Sequence, residues 1–312
     1  MKILKTERLT YGHIKGPIIV KDWSCELEDG LVLLCGEYGS GKTTLMNLLS
    51  GMLDLYYGKI LVCEKAPKSS VSNISYLTSI PVALKNQTVE QNFKFACDAA
   101  GVSCDRIVHD DWFLNYDKTK FKKLSLLNQF IFCLKRAELK NSKLVLIDQN
   151  LDSLSNEELE VYLKYLSEKF VNGGKLTILS TTPKVFKKLQ NYVAQYQILY
   201  QNRQKIEYFK NIDDFHGGIN CYSMADYFDY KKDVATIVSN QNGYMLSCGE
   251  VMFKLPDKII KPIESYFEVS DSAEVFVYFE EEWKNLSNSE FLSKLASSQI
   301  LIFDSLSGEK LN

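Results

Sequence analysis

Eight consecutive residues constrain this chain more than any others: Gly36-Glu37-Tyr38-Gly39-Ser40-Gly41-Lys42-Thr43. An apolar run, Leu31 to Leu34, leads into them, and Leu45, Leu48 and Leu49 follow at helical spacing. A G-x-x-x-x-G-K-[ST] segment between a strand and a helix folds as a loop whose backbone N–H groups cradle a phosphate. Glycines let the backbone approach the ligand closely, and the helix N-terminus adds positive potential. Lys42 is spaced to reach the outer phosphates of a nucleotide, and the Thr43 hydroxyl to ligate Mg2+. The candidate nucleotide-binding residues are therefore Gly36, Gly39, Ser40, Gly41, Lys42, Thr43 and Thr44.

The stretch LVLIDQN, residues 144–150, supplies a second element. Four apolar residues in a row are the pattern of a central parallel strand buried on both faces. Asp148 at its end places a carboxylate where it can hold the same metal, directly or through water. Thr43 and Asp148 are thus the candidate Mg2+ ligands.

The order of further motifs resembles the nucleotide-binding subunit of ABC transporters over roughly residues 1–210. RLTYGHIKGPIIVKDWSCELEDG is similar to the family's opening antiparallel strands, LSGMLDLYYGKILV to the turn after the phosphate loop, and KKLSLLNQFIFCLKRAEL to the signature and its helix. The resemblance implies a P-loop NTPase fold of ABC type, α/β, with a mixed core sheet, an antiparallel β subdomain and a helical insert at about 80–135. It also implies ATP and Mg2+ as cofactors, adenine stacked on Tyr11, and Ser125 as the signature serine that closes over a nucleotide held by a second subunit. For Tyr11 the plain alternative is a strand residue packed on its sheet.

The departures from the family pattern carry as much information as the matches. Leu127 stands at the second signature glycine, Ser79 at the glutamine that senses the γ-phosphate, and Ser155 at a later aspartate. Gln149 stands for the catalytic glutamate and Thr182 for the switch histidine. Glutamine cannot accept a proton at neutral pH, and general-base help is typically worth ~10²–10⁴-fold in rate. The residues that hold phosphate and metal are present, while those that activate water are replaced. The implied protein is an ATP-binding transporter subunit that couples to a separate membrane permease, with hydrolysis impaired or absent. The alternatives are an active ABC ATPase with relaxed motifs and a non-transport ABC regulatory protein. Because these cassettes work in head-to-tail pairs, a heterodimer with an intact second cassette is expected.

Bulk properties agree with this picture. Net charge is only -2, which offers no general attraction for nucleic acid. MKILKTERLTYG lacks the apolar centre of a signal peptide, and no run approaches the ~18 apolar residues that span a bilayer. The expected location is the cytoplasmic face of the membrane, as a peripheral subunit. The eight cysteines form no C-x-x-C pair and most sit among apolar neighbours, so free buried thiols are expected, with neither zinc nor disulfide. Residues 211–312 show β-like segments around 233–248, 251–255, 273–279 and 298–303, and a helical pattern near 287–298. They are expected to form a small α+β appendage, with a turn at Asn242-Gly243 and the acidic run Glu280-Glu281-Glu282 solvated, after a first unit whose last two strands meet in a turn at Asn202-Arg203.

Overall fold

The computed structural model describes residues 2–13, 16–104, 110–171, 174–202, 204–220, 222–228, 230–240, 243–248, 251–256, 259, 272–279, 283–297, 299–304 and 310–312. The two expected turns fall partly outside this set, and Glu280-Glu281-Glu282 wholly outside it. Backbone contacts divide the chain into two compact units, Met1–Ile212 and Asp213–Asn312.

In the first unit, β1 (Leu4–Gly12), β2 (Ile18–Leu27) and β4 (Tyr57–Val62) form an antiparallel sheet in the order β2-β1-β4. Leu4 and Thr6 turn inward from β1 and, after a bulge at Glu7-Arg8 that shifts the alternation by one residue, so do Leu9 and Tyr11, as a sheet with one wet face requires. A second sheet runs β5-β6-β7-β3-β8-β9, comprising β3 (Gly30–Cys35), β5 (Ile74–Leu77), β6 (Leu144–Ile147), β7 (Leu176–Ser180), β8 (Gln197–Asn202) and β9 (Lys205–Phe209). Its first five strands are mutually parallel, and β9 returns antiparallel to β8. All four residues of β6 are buried, which explains why its sequence is apolar without alternation. One core joins both sheets to α1 (Lys42–Ser50), through Leu4, Leu9, Val32, Leu34, Leu45 and Leu146.

Between β5 and β6 lies the helical insert: α2 (Val89–Ala100), α3 (Asp111–Tyr116) and α4 (Leu126–Lys140). A reciprocal cap between Thr88 and Gln91 starts α2, and Gly101 in the left-handed region ends it. Phe93 packs on Phe132 with ring centres 4.7 Å apart and on Phe113 at 5.7 Å, so all three of these aromatic residues belong to the insert's core. Phe95, by contrast, is 61% exposed. After β6 come α5 (Asn156–Phe170), β7 and α6 (Pro183–Leu189).

One expectation fails here. Cys97 and Cys104 form a disulfide, whereas the sequence reading made all eight cysteines free. The Gly101 turn reverses the chain after α2 and brings the two Cα atoms to 5.9 Å, a proximity that C-x-x-C spacing rules do not register. Among the described residues, Cys25, Cys35, Cys63, Cys133 and Cys248 are not disulfide-bonded. Replacing Cys97 and Cys104 together by Ser is expected to cost about 2.5 kcal/mol, the chain-entropy value for so short a loop. Chemical denaturation of the oxidised parent and the variant measures this directly.

The second unit contains a five-stranded antiparallel sheet, ordered β12-β11-β10-β13-β14: β10 (Lys231–Asn240), β11 (Gly243–Cys248), β12 (Val251–Lys254), β13 (Ser272–Phe279) and β14 (Ile300–Asp304). Short helices α7 (Ile212–Gly217) and α8 (Tyr222–Ala225) precede it, and α9 (Asn288–Ala296) packs on it. Its core is its own, with Trp283 fully buried and Phe253 stacked on Phe291 at 4.2 Å. The Trp283 indole N–H donates to Asp233 at 2.9 Å, satisfying its polar atom inside that core. Among the described residues, no helix is long and apolar enough to cross a membrane.

Candidate functional site: a phosphate loop at the end of the parallel strands

The loop from Gly36 to Gly41 joins β3 to α1, at the carboxyl ends of the parallel strands. Gly36 and Gly41 both have positive φ, +143° and +105°. A Cβ on Gly36 would lie 2.4 Å from the Gln201 carbonyl oxygen, and one on Gly41 only 2.3 Å from an Ile19 methyl carbon. Conformation and space therefore both demand glycine at these two positions. The Lys42 ammonium folds back over the loop and donates to the carbonyl oxygens of Gly36 and Glu37, each at 2.8 Å. Burial pulls the Lys42 pKa below its ordinary value.

Asp148 follows β6 directly and is 8% exposed. Its backbone N–H donates to the Leu77 carbonyl at 2.8 Å, which pins it beside the end of β5. The Thr43 and Ser180 side chains stand close enough to its carboxylate to favour the charged form, so the two expected metal ligands meet in one place. Burial nonetheless pushes the carboxyl above the usual carboxylate range. A raised folded pKa means that the charged form costs stability once pH rises through that pKa, and that the cost vanishes on acidification. Asp148→Asn is therefore expected to raise the thermal midpoint of the nucleotide-free protein at neutral pH, while removing any Mg2+-dependent gain. Thermal melts with and without Mg-ATP check both signs.

Among the described residues, the buried side-chain polar atoms without a hydrogen-bond partner are Ser40 Oγ, Asp148 Oδ2, Gln149 Nε2 and Gln201 Oε1. Two belong to the candidate phosphate and metal residues; Ser40 lies on the loop, Asp148 and Gln149 just beyond β6, and Gln201 near the end of β8. Buried polar groups are nearly always paired, so such a cluster marks a place completed by a ligand. A hydroxyl and a carboxylate are hard oxygen donors that suit Mg2+, which takes its remaining oxygens from water and phosphate. Thr43 and Asp148 would hold the ion, which when bound neutralises charge on the phosphate oxygens.

The positions expected to activate water are engaged otherwise. Gln149, 4% exposed, accepts at Oε1 a 2.6 Å hydrogen bond from the Tyr162 hydroxyl of α5, itself fully buried. Thr182 caps the N-terminus of α6 and donates to Asp152 at 2.8 Å. Lys184 adds bonds to the carbonyls of Leu154, 3.0 Å, and Asp152, 3.4 Å. Ser155 caps α5 in a reciprocal box with Glu158. Ser79 is exposed beyond β5.

Ser125 caps α4, its hydroxyl accepting from the Asn128 N–H at 3.3 Å. In the first turn Leu126 is exposed and Leu127 half-buried, so apolar side chains flank this serine. The Trp112 indole donates to Asn128 Oδ1 at 2.8 Å, tying α3 to the same turn. Tyr11 is 8% exposed and packs against Tyr56, ring centres 5.6 Å apart, with its hydroxyl 3.4 Å from His13 Nδ1. The open ring beside it is Tyr56, 61% exposed. Tyr162, Ser180, Asp152 and Gln201 were not anticipated. Ser180 ends an apolar strand as Asp148 does and carried that signal; the other three become visible only when the elements pack.

Residues 20–151 match the family model described as ABC transporter. An uncharacterized ABC transporter ATP-binding protein of Methanocaldococcus jannaschii is 27% identical over 237 residues, covering 73% of this chain and 82% of that protein. A Clostridium tetani protein described as an ABC transporter ATP-binding protein is 35% identical over 85 residues, 25% of this chain and only 20% of its own length. Among solved structures, an ATP-binding subunit of an ABC transporter superposes with a TM-score of 0.57 at 17% identity, covering 69% of this chain and 92% of that one. The cbiO1 structure from Clostridium perfringens, part of the cbiONQ transporter complex, gives 0.57 at 16% identity and covers 70% and 91%. At these identities the superpositions establish the fold, a P-loop NTPase of ABC type. Family match, relatives and fold agree: residues 20–151 match the ABC transporter family, and the first unit is similar to ATP-binding subunits of ABC transporters.

Proposed function

We propose that this chain is the ATP-binding subunit of an ABC transporter that holds Mg-ATP and hydrolyses it slowly or not at all. The observation that carries the reading is the split within one site. Lys42, Thr43 and Asp148 converge, whereas Gln149 is bonded to Tyr162 and Thr182 to Asp152. Phosphate and metal have their ligands, and the attacking water has no base. Equilibrium binding of Mg-ATP together with a phosphate-release assay tests this. The expected result is saturable binding with turnover well below ~1 s⁻¹, the low end for phosphoryl-transfer enzymes. Undetectable binding, or turnover at that rate, overturns it.

Coupling to a separate permease, on the cytoplasmic face of a membrane, is part of the same proposal. A groove of about 740 Å³ runs between β5 and helices α2 and α4, lined by Leu77, Val82, Leu84, Phe95 and Arg136. Val82 and Phe95 are 59% and 61% exposed there, apolar surface that suits a protein partner. The similar cbiO1 is part of a transporter complex. A second, intact cassette is the expected pairing partner, because two copies of this chain would bring together two sites lacking the glutamate. Isolation of the native complex tests the pairing: two copies of this chain and no second cassette would refute it.

A further inference from the structure

Gln201 is the last-but-one residue of β8 and is fully buried, yet its side chain serves neither the sheet nor the core. Its amide lies against the underside of the phosphate loop. A Cβ on Gly41 would stand 2.9 Å from Gln201 Nε2, and one on Gly36 would stand 2.4 Å from the Gln201 carbonyl oxygen. The Nε2 group donates to the Ile19 carbonyl of β2 at 3.4 Å, so one side chain touches the antiparallel sheet and the loop together. Its Oε1 has no partner. An interior amide carrying one orphaned acceptor costs stability in the nucleotide-free chain, and an apolar side chain of equal size would avoid that cost.

From this geometry we infer that Gln201 is a positioning residue for the phosphate loop, its Oε1 accepting a loop N–H when the loop is wrapped around phosphate. The inference rests on the phosphate-loop reading above and adds a residue to it. The partner of Oε1 has to come from the protein, because the atom is shielded from solvent and the Nε2 of the same amide stands against the loop at Gly41. The Lys42 ammonium now holds the Gly36 and Glu37 carbonyls. As that ammonium turns to the phosphates, the backbone between Gly36 and Gly41 is freed to adjust against the Gln201 amide. One interior hydrogen bond would thus be present with nucleotide and missing without it.

This arrangement gives opposite signs for stability and affinity. In the full chain, Gln201→Leu is expected to leave the nucleotide-free thermal midpoint unchanged or raised, and to weaken ATP and ADP alike by roughly tenfold, the loss of about one interior hydrogen bond. ADP is affected equally because the loop cradles the β-phosphate common to both. Gln201→Glu keeps an acceptor at this position and is expected to retain more affinity than Gln201→Leu. A purely structural glutamine would instead lower the midpoint in Gln201→Leu and leave the affinity of the folded protein alone. Affinities of Gln201→Leu within twofold of the parent for both nucleotides would overturn the assignment. If the parent binds neither nucleotide, the proposed function fails before this question arises, so the two failures are distinguishable.

Discussion

Lys42→Ala is expected to abolish Mg-ATP binding at any accessible nucleotide concentration. The ammonium is the one cation that the loop itself presents to the outer phosphates, and a hydrogen bond to a charged group is worth roughly 1.5–3 kcal/mol. Losing two of them corresponds to more than about a hundredfold in affinity. The nucleotide-free protein should tolerate the change, because the lysine's present partners are two backbone carbonyls of its own loop, the buried Gly36 and the exposed Glu37, and no core side chain depends on it. Calorimetric titration of the parent and the variant, with circular dichroism to confirm folding, gives the comparison. Binding retained within tenfold would mean that the nucleotide sits elsewhere.

The second large effect is one that should fail to appear. Restoring the missing carboxylate with Gln149→Glu would supply a general base worth ~10²–10⁴-fold if position and proton affinity were right. Neither condition holds here. Residue 149 is buried and bonded to the Tyr162 hydroxyl at 2.6 Å, so a glutamate introduced there would be held by the same phenol. Thr182 would still donate to Asp152 and not to a phosphoryl group. The single variant should therefore gain less than about tenfold in phosphate release, while Gln149→Glu combined with Thr182→His should gain more. A hundredfold rise from Gln149→Glu alone would show that only the base was missing.

Much of the first unit was legible because its signals are local. The phosphate loop announces itself through glycines that sterics make irreplaceable, and β6 through an apolar run that only a doubly covered strand tolerates. Asp148 could be assigned from its place at the end of that run. The Tyr162–Gln149 bond could not, since it joins a loop residue to one thirteen positions later on the far side of a helix turn. Gln201 lies in sequence far from the loop it supports, and only the parallel pairing of β3 with β8 brings them together. The family resemblance marks Tyr11 as the aromatic that stacks on adenine, with a packed strand residue as the alternative, whereas its neighbour Tyr56, the exposed ring, carried no comparable signal. The disulfide was missed because its closure depends on the reversal at Gly101 and not on cysteine spacing. For the second unit the sequence showed strands, yet strand order follows from long-range pairing that no local pattern encodes.

The contact of Lys42 with its own loop bears on how fast the site fills. An ammonium bonded to two backbone carbonyls acts as an internal competitor for the incoming phosphate, and the loop must release it before the nucleotide can settle. Apparent affinity is then the intrinsic affinity scaled by the fraction of molecules whose lysine is free. Stopped-flow mixing should show an observed rate that levels off as ATP concentration rises, the plateau being the rate at which the lysine lets go. Association would in that regime be timed by the protein and not by diffusion of the ligand.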